Sequence, residues 1–217
     1  MAKWTLGVIL DRMTLRRRER VATVLARRQP DLTVVAESVH KPHNLSAVLR
    51  SCDAVGIGTI HAVQPTGGVP TYTATSASAE RWVDVMVHGT VEAAVAHLRR
   101  DGLTVYATRL SHTAVDYRNV DFVKPCAIII GNEREGVTRE AAELADAHII
   151  IPMLGMVQSL NVSVATAVVL FEAQRQRLAA GLYDEPRLLE DELDAIAQRW
   201  LRSPAQRRHD KAGGDGS

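Results

Sequence analysis

The organisation of this chain is decided by one stretch, Ile149-Ile150-Ile151-Pro152-Met153-Leu154-Gly155-Met156-Val157-Gln158-Ser159-Leu160-Asn161-Val162-Ser163-Val164-Ala165. It begins as an apolar β-branched run, which is typical of a buried strand, and it breaks at Pro152. A loop follows, after which Ser159, Asn161 and Ser163 offer short polar side chains that can cap a helix. The pattern predicts a strand that passes through a polar loop into a helix.

This loop would leave the carboxyl end of a strand. Open α/β sheets bind small ligands at that edge, so the loop is a candidate binding site. The alternative is an ordinary connection in which the polar residues serve only as helix caps.

The rest of the chain alternates short apolar runs with amphipathic segments. This alternation predicts an α/β fold with a mostly parallel sheet flanked by helices. The predicted strands are 32–39, 59–63, 82–87, 103–110, 126–130 and 148–151. The predicted helices are about 14–28, a helix capped by Asn44, one from Thr90 to Gly102, one from Thr138 to about 145, and 161–178 and 188–202.

The composition is that of a globular protein. Hydrophobic residues make up 46% and charged residues 24% of the 217 residues, and no apolar run approaches the roughly 20 residues of a membrane span. We therefore expect a cytoplasmic protein without a membrane segment. Cys52 and Cys126 have no CxxC spacing and the eight histidines form no ligand motif, so we expect buried thiols and no metal site.

The net charge of +1 conceals a basic amino-terminal arm. Residues 1–30 contain eight Lys or Arg against two acids, whereas residues 31–172 contain ten against fifteen. An arginine-rich helix of this kind favours contact with nucleic acid, although a solubilising surface helix is the alternative. The arginines expected to contact RNA are Arg16, Arg17, Arg18, Arg20, Arg27 and Arg28.

Two further motifs precede the opening stretch. The first runs from His40 to Arg50 and contains Asn44 six residues before Arg50. The second is Gly131-Asn132-Glu133-Arg134-Glu135-Gly136, which directly follows the apolar run 126–130 and precedes a helix that Thr138 can cap. In this order and context, the three motifs resemble those of the SpoU family of 2'-O-ribose methyltransferases in the SPOUT superfamily.

The resemblance covers nearly everything from about residue 13 to 202, and it implies a fold and a reaction. The expected fold is a SPOUT domain with a carboxy-terminal trefoil knot, which general rules of chain topology would discourage. The expected reaction transfers a methyl group from S-adenosylmethionine to an RNA ribose. The chain is most similar to the tRNA enzymes of the family, which methylate the D-loop guanosine at position 18. The resemblance also implies a homodimer with the active site at the subunit interface.

Family analogy also assigns the site residues. Arg50 is the expected catalytic centre, either as the base or as a cation that orients phosphate and stabilises the developing alkoxide. The second role is favoured by the chemistry of guanidinium, which stays protonated. Asn44 would position Arg50 or the ribose. The expected donor-binding residues are Thr108, Gly131, Glu133, Ile151, Leu154, Ser159, Leu160 and Asn161, and further RNA contacts are expected at His43, Arg175 and Arg177.

These inferences divide the chain into five parts. Residues 1–12 are expected to be a disordered or mis-started extension, 13–30 a basic RNA-contacting helix, 31–178 the methyltransferase domain, 179–202 a helical extension and 203–217 a disordered tail. Two alternatives remain open for the function: methylation of ribosomal RNA or of another tRNA position, and a non-catalytic RNA-binding module on the same fold.

Overall fold

A computed structural model describes residues 14–39, 41–64, 81–132 and 134–201. The strands are β1 (Leu32–Glu37), β2 (Thr59–Val63), β3 (Asp84–His88), β4 (Thr104–Thr108), β5 (Val115–Asp116), β6 (Cys126–Ile130) and β7 (Ala147–Ile150). The α-helices are α1 (Leu15–Leu25), α2 (Pro42–Ala54), α3 (Val91–Arg100), α4 (Arg139–Leu144), α5 (Val162–Ala179) and α6 (Glu190–Leu201). The predicted disordered ends, 1–12 and 203–217, lie outside the described residues.

The strands form one parallel sheet in the order β3-β2-β1-β6-β4-β7-β5. Its central strands are buried on both faces because helices cover each side. Val34 and Ile128 pack in the cluster that contains α2 and α5, whereas Val35 and Ile129 pack with α3 and α4. The predicted α/β architecture with a mostly parallel sheet is therefore confirmed.

The predicted helix starts are confirmed at three positions and wrong at one. The side chains of Thr90, Thr138 and Asn161 each accept a hydrogen bond from the first turn of α3, α4 and α5. Asn44, however, lies inside α2, which begins at Pro42. Proline suits the first helical position because its ring fixes φ and no N–H is needed there.

The amino-terminal helix α1 is held by the carboxy-terminal helix α6. Val21 and Leu25 of α1 are buried in a separate apolar cluster with Leu193, Ala197 and Trp200 of α6. Because these contacts use the apolar sides of both helices, the remaining sides of α1 face outward. The first turn of α6 is acidic, at Glu190–Glu192, so this end of α6 is not a phosphate-binding surface.

Arg28 is a buried structural residue, which corrects its predicted role in RNA binding. Only 2% of the residue is exposed. Its guanidinium donates to the carbonyl oxygens of Ile57 (2.8 Å) and Trp82 (2.9 Å) and to Asp53 Oδ1 (2.9 Å). It also lies 4.9 Å from the ring centroid of Trp200. These contacts tie the segment after α1 to α2, to residues that precede β2 and β3, and to α6.

Arg177 requires the same correction, because its exposed fraction is 0%. Its guanidinium donates to Asp31 Oδ1 at 2.6 Å, to Gln29 Oε1 at 3.0 Å and to the Phe122 carbonyl at 2.8 Å. Burial alone would raise the pKa of Asp31, but hydrogen bonds from Arg187 and Arg177 outweigh it and lower that pKa. The cation therefore joins α5 to the interior and presents no charge to RNA.

Three histidines meet where β2, β3 and α3 pack together. His61 Nδ1 and His88 Nε2 are 2.9 Å apart, and the His97 ring lies 5.4 Å from the His61 ring. Burial, followed by the charges of His88 and His97, lowers the pKa of His61 to about 4, against a smaller opposing effect of Asp101. The folded protein therefore favours neutral His61.

This cluster should make the protein sensitive to acid. The ordinary histidine pKa is about 6.5, so the unfolded chain takes up the proton first and stability falls as the pH drops from that value towards the folded pKa. Between pH 7 and pH 4.5 we expect His61 to account for a loss of about 2 kcal/mol in unfolding free energy. Urea titrations of the wild type and His61→Gln at both pH values measure this, and identical pH dependence in the two proteins would contradict it.

The described residues contain neither a membrane-spanning helix nor a cluster of metal-binding side chains. No helix there is long and apolar enough to cross a membrane. No group of three or more His, Cys, Asp or Glu side chains in those ranges is arranged to hold a metal ion. Both cysteines are buried as predicted, and burial raises the pKa of Cys126 to about 12.

Candidate active site

Three adjacent strands place their carboxyl ends at the same edge of the sheet. In the order β6-β4-β7, Gly131 directly follows β6, Thr108 ends β4 and Ile151 directly follows β7. The Thr108 hydroxyl donates to the Ile129 carbonyl at 3.0 Å, which fixes the end of β4 against β6. Three of the predicted donor-binding positions are therefore neighbours on one edge.

The loop that leaves β6, residues 131–137, is closed on itself. A Cβ at Gly131 would lie 1.9–2.1 Å from the backbone of Gly136 and Val137, so only glycine permits this approach. The Asn132 side-chain oxygen accepts from the backbone N–H groups of Arg134 (2.9 Å) and of the next residue (2.8 Å). We call residues 131–137 the donor loop. Its Glu133, a predicted site residue, lies outside the described residues.

The first and third motifs meet through two asparagines. Asn161 Nδ2 donates to Asn44 Oδ1 at 3.2 Å, although 117 residues separate them. The orientation of the Asn161 amide follows from its oxygen, which accepts from the backbone N–H (2.9 Å) and the hydroxyl (2.6 Å) of Ser163. Asn44 is buried at 2% exposure, so its carboxamide is held in place beneath the third-motif loop.

Arg50 lies further along α2 and is exposed. Six residues of α-helix separate it from Asn44, a rise of about 9 Å. Among the described residues, its guanidinium has no hydrogen-bond or ion-pair partner. Asn44 and Arg50 therefore make no direct contact within one subunit, the role of Asn44 in positioning Arg50 or the ribose stays a prediction, and Arg50 is available to a ligand or to a neighbouring chain.

The third-motif loop between β7 and α5 projects from the sheet edge. Ser159 and Asn161 are exposed, and Leu160 is half-buried. Leu154 is fully exposed, at 100%, and Met156 is nearly so, at 98%. The loop therefore presents large apolar side chains at the surface of the single chain.

The predicted RNA contacts fall into three groups by burial. Arg28 and Arg177 are buried, as described above. Arg18 is half-buried on α1. The other predicted contacts are exposed: Arg16, Arg17, Arg20, Arg27, His43 and Arg175. Arg175 is paired with Glu172, to which its Nε donates at 2.8 Å.

The sequence analysis missed two residues that hold the donor loop. The Glu37 carboxylate accepts from the backbone N–H (2.9 Å) and the hydroxyl (2.6 Å) of Thr138. A guanidinium N–H of Arg109 donates to the Val137 carbonyl. A signal for Glu37 did exist, since an acid at the end of an apolar run such as Leu32–Glu37 requires a buried partner.

A sequence profile decides the family. The profile of the SpoU rRNA methylase family matches residues 31–171, well over half of the chain. This chain belongs to the SpoU methylase family. The SpoU motifs recognised in the sequence occupy the sheet edge just described, with the first and third motifs in direct contact.

Named proteins from several organisms are similar to this SpoU protein over most of its length. It is 59% identical over 186 residues to the tRNA (guanosine(18)-2'-O)-methyltransferase of Thermus thermophilus, covering 86% of this chain and 96% of the relative. The enzyme of that name from Escherichia coli is 54% identical over 164 residues, 76% of this chain and 72% of the relative.

Solved structures agree with the SpoU assignment. The TrmH/SpoU tRNA modifying enzyme of Aquifex aeolicus superposes with a TM-score of 0.79 at 38% identity, over 89% of this chain and 97% of that one. An AdoMet-bound rRNA methyltransferase from Sinorhizobium meliloti gives a TM-score of 0.59 at 31% identity, over 69% of this chain and 61% of that one.

Proposed function

We propose that this protein transfers a methyl group from S-adenosylmethionine to the ribose 2'-hydroxyl of the D-loop guanosine at tRNA position 18. The observation that carries the proposal is the meeting of three loops at one sheet edge, with Asn161 bonded to Asn44. Relatives at 59% and 54% identity that are named for this reaction support it. Because its substrate would be tRNA, we place its action in the cytoplasm.

The donor would lie against the carboxyl ends of β6, β4 and β7. S-adenosylmethionine supplies an electrophilic methyl group on a sulfonium. Backbone groups fit such a ligand because a neutral adenosyl group needs hydrogen bonds and apolar contact rather than a counter-charge. The backbone groups that would hold it belong to Thr108, Gly131, Ile151, Leu154 and Leu160, with Glu133, Ser159 and Asn161 shaping the pocket.

Arg50 would act on the acceptor ribose. Its exposed guanidinium, without a partner among the described residues, suits an RNA phosphate, which arginine binds through two parallel N–H groups. Fixing that phosphate would hold the 2'-oxygen in line for attack, and the positive charge would stabilise the alkoxide as the proton leaves. Direct removal of the proton by Arg50 is the other role, which would require a neutral guanidinium.

The tRNA would lie along the outward side of α1. Phosphate contacts of this kind give affinity and register but carry little sequence information. The choice of guanosine 18 must therefore come from the pocket or from the shape of the D-loop. Arg175 and His43 would extend this surface, while α6 would serve to hold α1 in place through Trp200.

We also propose that two copies form the working enzyme. Three exposed apolar residues follow one side of α5 at seven-residue spacing: Val164 (48% exposed), Phe171 (49%) and Leu178 (54%). This spacing brings side chains to one stripe of a helix, as in helices that pack against a partner. Together with the exposed Leu154 and Met156, the stripe would supply apolar surface for a second copy.

Charge placed in this stripe should separate the dimer. We expect the wild type to sediment at twice the 23.7 kDa chain mass and Phe171→Asp at the chain mass, because the burial of an unpaired carboxylate disfavours association. Val87→Asp, an equivalent change at an exposed residue of β3, is the matched control and should stay dimeric. A monomeric wild type or a dimeric Phe171→Asp protein would contradict the proposal.

We propose the trefoil knot because of the path that the chain takes around β7. β5 follows β4 in sequence but lies beyond β7 in the sheet. The returning segment then bonds to α5, where Phe122 N donates to Gln176 Oε1 at 2.9 Å and Gln176 Nε2 donates to the Val120 carbonyl at 3.0 Å. Residues 109–125 would thus form a loop around the route from β7 to α5. A crystal structure traced through 109–161 tests whether the chain threads this loop.

One assay distinguishes the proposed methyl transfer from RNA binding alone. The purified protein is incubated with methyl-labelled S-adenosylmethionine and either unmodified tRNA or the same tRNA with a 2'-deoxyguanosine at position 18. We expect label only in the tRNA that carries the 2'-hydroxyl. RNA binding without any transfer of label would instead indicate a non-catalytic module.

A further inference from the structure

We infer that Glu37 is a positioning residue for methyl-donor binding, acting through the donor loop. This inference rests on the proposed function, because it assumes that residues 131–137 contact S-adenosylmethionine. Glu37 ends β1 and is buried, at 4% exposure. Both of its carboxylate oxygens are engaged by Thr138, so Glu37 would not itself bind the donor.

Contacts among the described residues of the donor loop hold its two ends together. Its two ends approach so closely that Gly131 lies against Gly136 and Val137. Inside it, the Gly136 N–H donates to the Asn132 carbonyl at 3.1 Å, and the Asn132 side chain accepts from two further backbone groups. Because these contacts join the two ends of the loop, the position of the loop depends on where those ends are anchored.

The upstream end of the loop is anchored by β6, in the middle of the sheet. The downstream end is held from both flanking strands, since β1 and β4 are the neighbours of β6. Arg109, directly after β4, donates to the Val137 carbonyl, and Glu37, at the end of β1, accepts twice from Thr138. Loss of either anchor would let the loop tilt about the end of β6.

Glu37 supplies more of the anchoring hydrogen bonds than Arg109 does. It accepts two from Thr138, of which the bond from the hydroxyl is 2.6 Å, whereas Arg109 donates one to the Val137 carbonyl. The same hydroxyl accepts from the Ala141 N–H at 3.1 Å, so the carboxylate also sets the direction of the α4 cap. A negative charge at this helix end is favourable as well.

The test measures binding of S-adenosylmethionine to the full chain by calorimetry, without RNA. We expect Glu37→Ala to bind the donor about tenfold more weakly, which corresponds to the loss of one hydrogen-bonded anchor. Glu37→Gln, which keeps the size and one acceptor oxygen, should bind about threefold more weakly. The KM for tRNA and the kcat at saturating donor should stay within about twofold in both variants, because the loop is misplaced but its donor contacts can still form.

Thr90→Ala is the matched control, because it removes the same type of cap from α3, where Thr90 accepts from the Ala93 N–H at 3.2 Å. We expect it to lower the melting temperature while leaving donor affinity unchanged. Wild-type affinity in both Glu37 variants, or equal loss in Thr90→Ala, would overturn the inference alone. A wild type that binds no S-adenosylmethionine would instead overturn the proposed function, and this inference with it.

Discussion

Replacing Arg50 with alanine is expected to lower kcat for tRNA methylation by about a thousandfold, the range seen when a group that stabilises the transition state or transfers the proton is removed. The melting temperature should not change, because Arg50 is exposed and has no partner among the described residues. Single-turnover methylation of unmodified tRNA and thermal unfolding of the same preparations measure the two quantities.

Two controls accompany this variant. Arg100→Ala removes another exposed helical arginine, at the end of α3, and should keep wild-type activity. Arg50→Lys keeps the charge but loses the two-pronged contact with phosphate, so we expect intermediate activity. Full activity in Arg50→Ala would remove Arg50 from the mechanism.

Mixed dimers show which subunit supplies Arg50. If Arg50 serves the partner's donor site, then Arg50→Ala mixed equally with an inactive Asn161 variant restores about a quarter of wild-type activity, since half of the dimers are mixed and each has one intact site. If both residues serve the same subunit, every site in the mixture carries a defect and no activity returns.

Replacing Arg177 with methionine is expected to lower the free energy of unfolding by about 3 kcal/mol, because several buried acceptors lose their donor although Arg187 still pairs with Asp31. Arg177 donates five hydrogen bonds, and its loss leaves the side chains of Asp31 and Gln29 and three backbone carbonyls with fewer donors. In a chain of this size the melting temperature should fall by about 10 °C. Urea and thermal unfolding measure both effects.

The neighbouring Arg175 is the matched comparison. Its guanidinium is exposed and paired with Glu172, and exposed ion pairs contribute little to stability. We expect Arg175→Met to bind tRNA more weakly and with a smaller salt dependence, without a change in unfolding. The reverse pattern, in which Arg177→Met is stable but binds tRNA weakly, would restore the sequence-based assignment of Arg177 as an RNA contact.

The strands at the centre of the fold could be predicted from sequence because their signal is local. The strands Thr59–Val63 and Cys126–Ile130 have the predicted bounds. Continuous apolar runs of this length leave little choice of structure when both faces are covered. The two-residue strand Val115–Asp116 was not predicted, since it carries no periodic pattern and forms only by pairing with β7.

The roles of single polar residues could not be predicted in this way, because their partners lie far away in the chain. Arg177 looks like a favourable cation near the end of a helix, yet its partner Asp31 is 146 residues away. Asn44 is of a residue type that often caps helices, but the helix begins earlier, at Pro42. The Asn44 side chain instead accepts a hydrogen bond from the Asn161 amide. Family resemblance located the candidate site, whereas contacts between distant segments determine what holds it together.

The most direct test of the proposed function is the position of the methyl group on the RNA. Unmodified tRNA is treated with the wild-type protein and S-adenosylmethionine, digested with a nuclease and mapped by mass spectrometry of the fragments. We expect one added methyl group, on the ribose of guanosine 18. A methyl group at another nucleotide, or transfer to ribosomal RNA in preference to tRNA, would contradict the proposal.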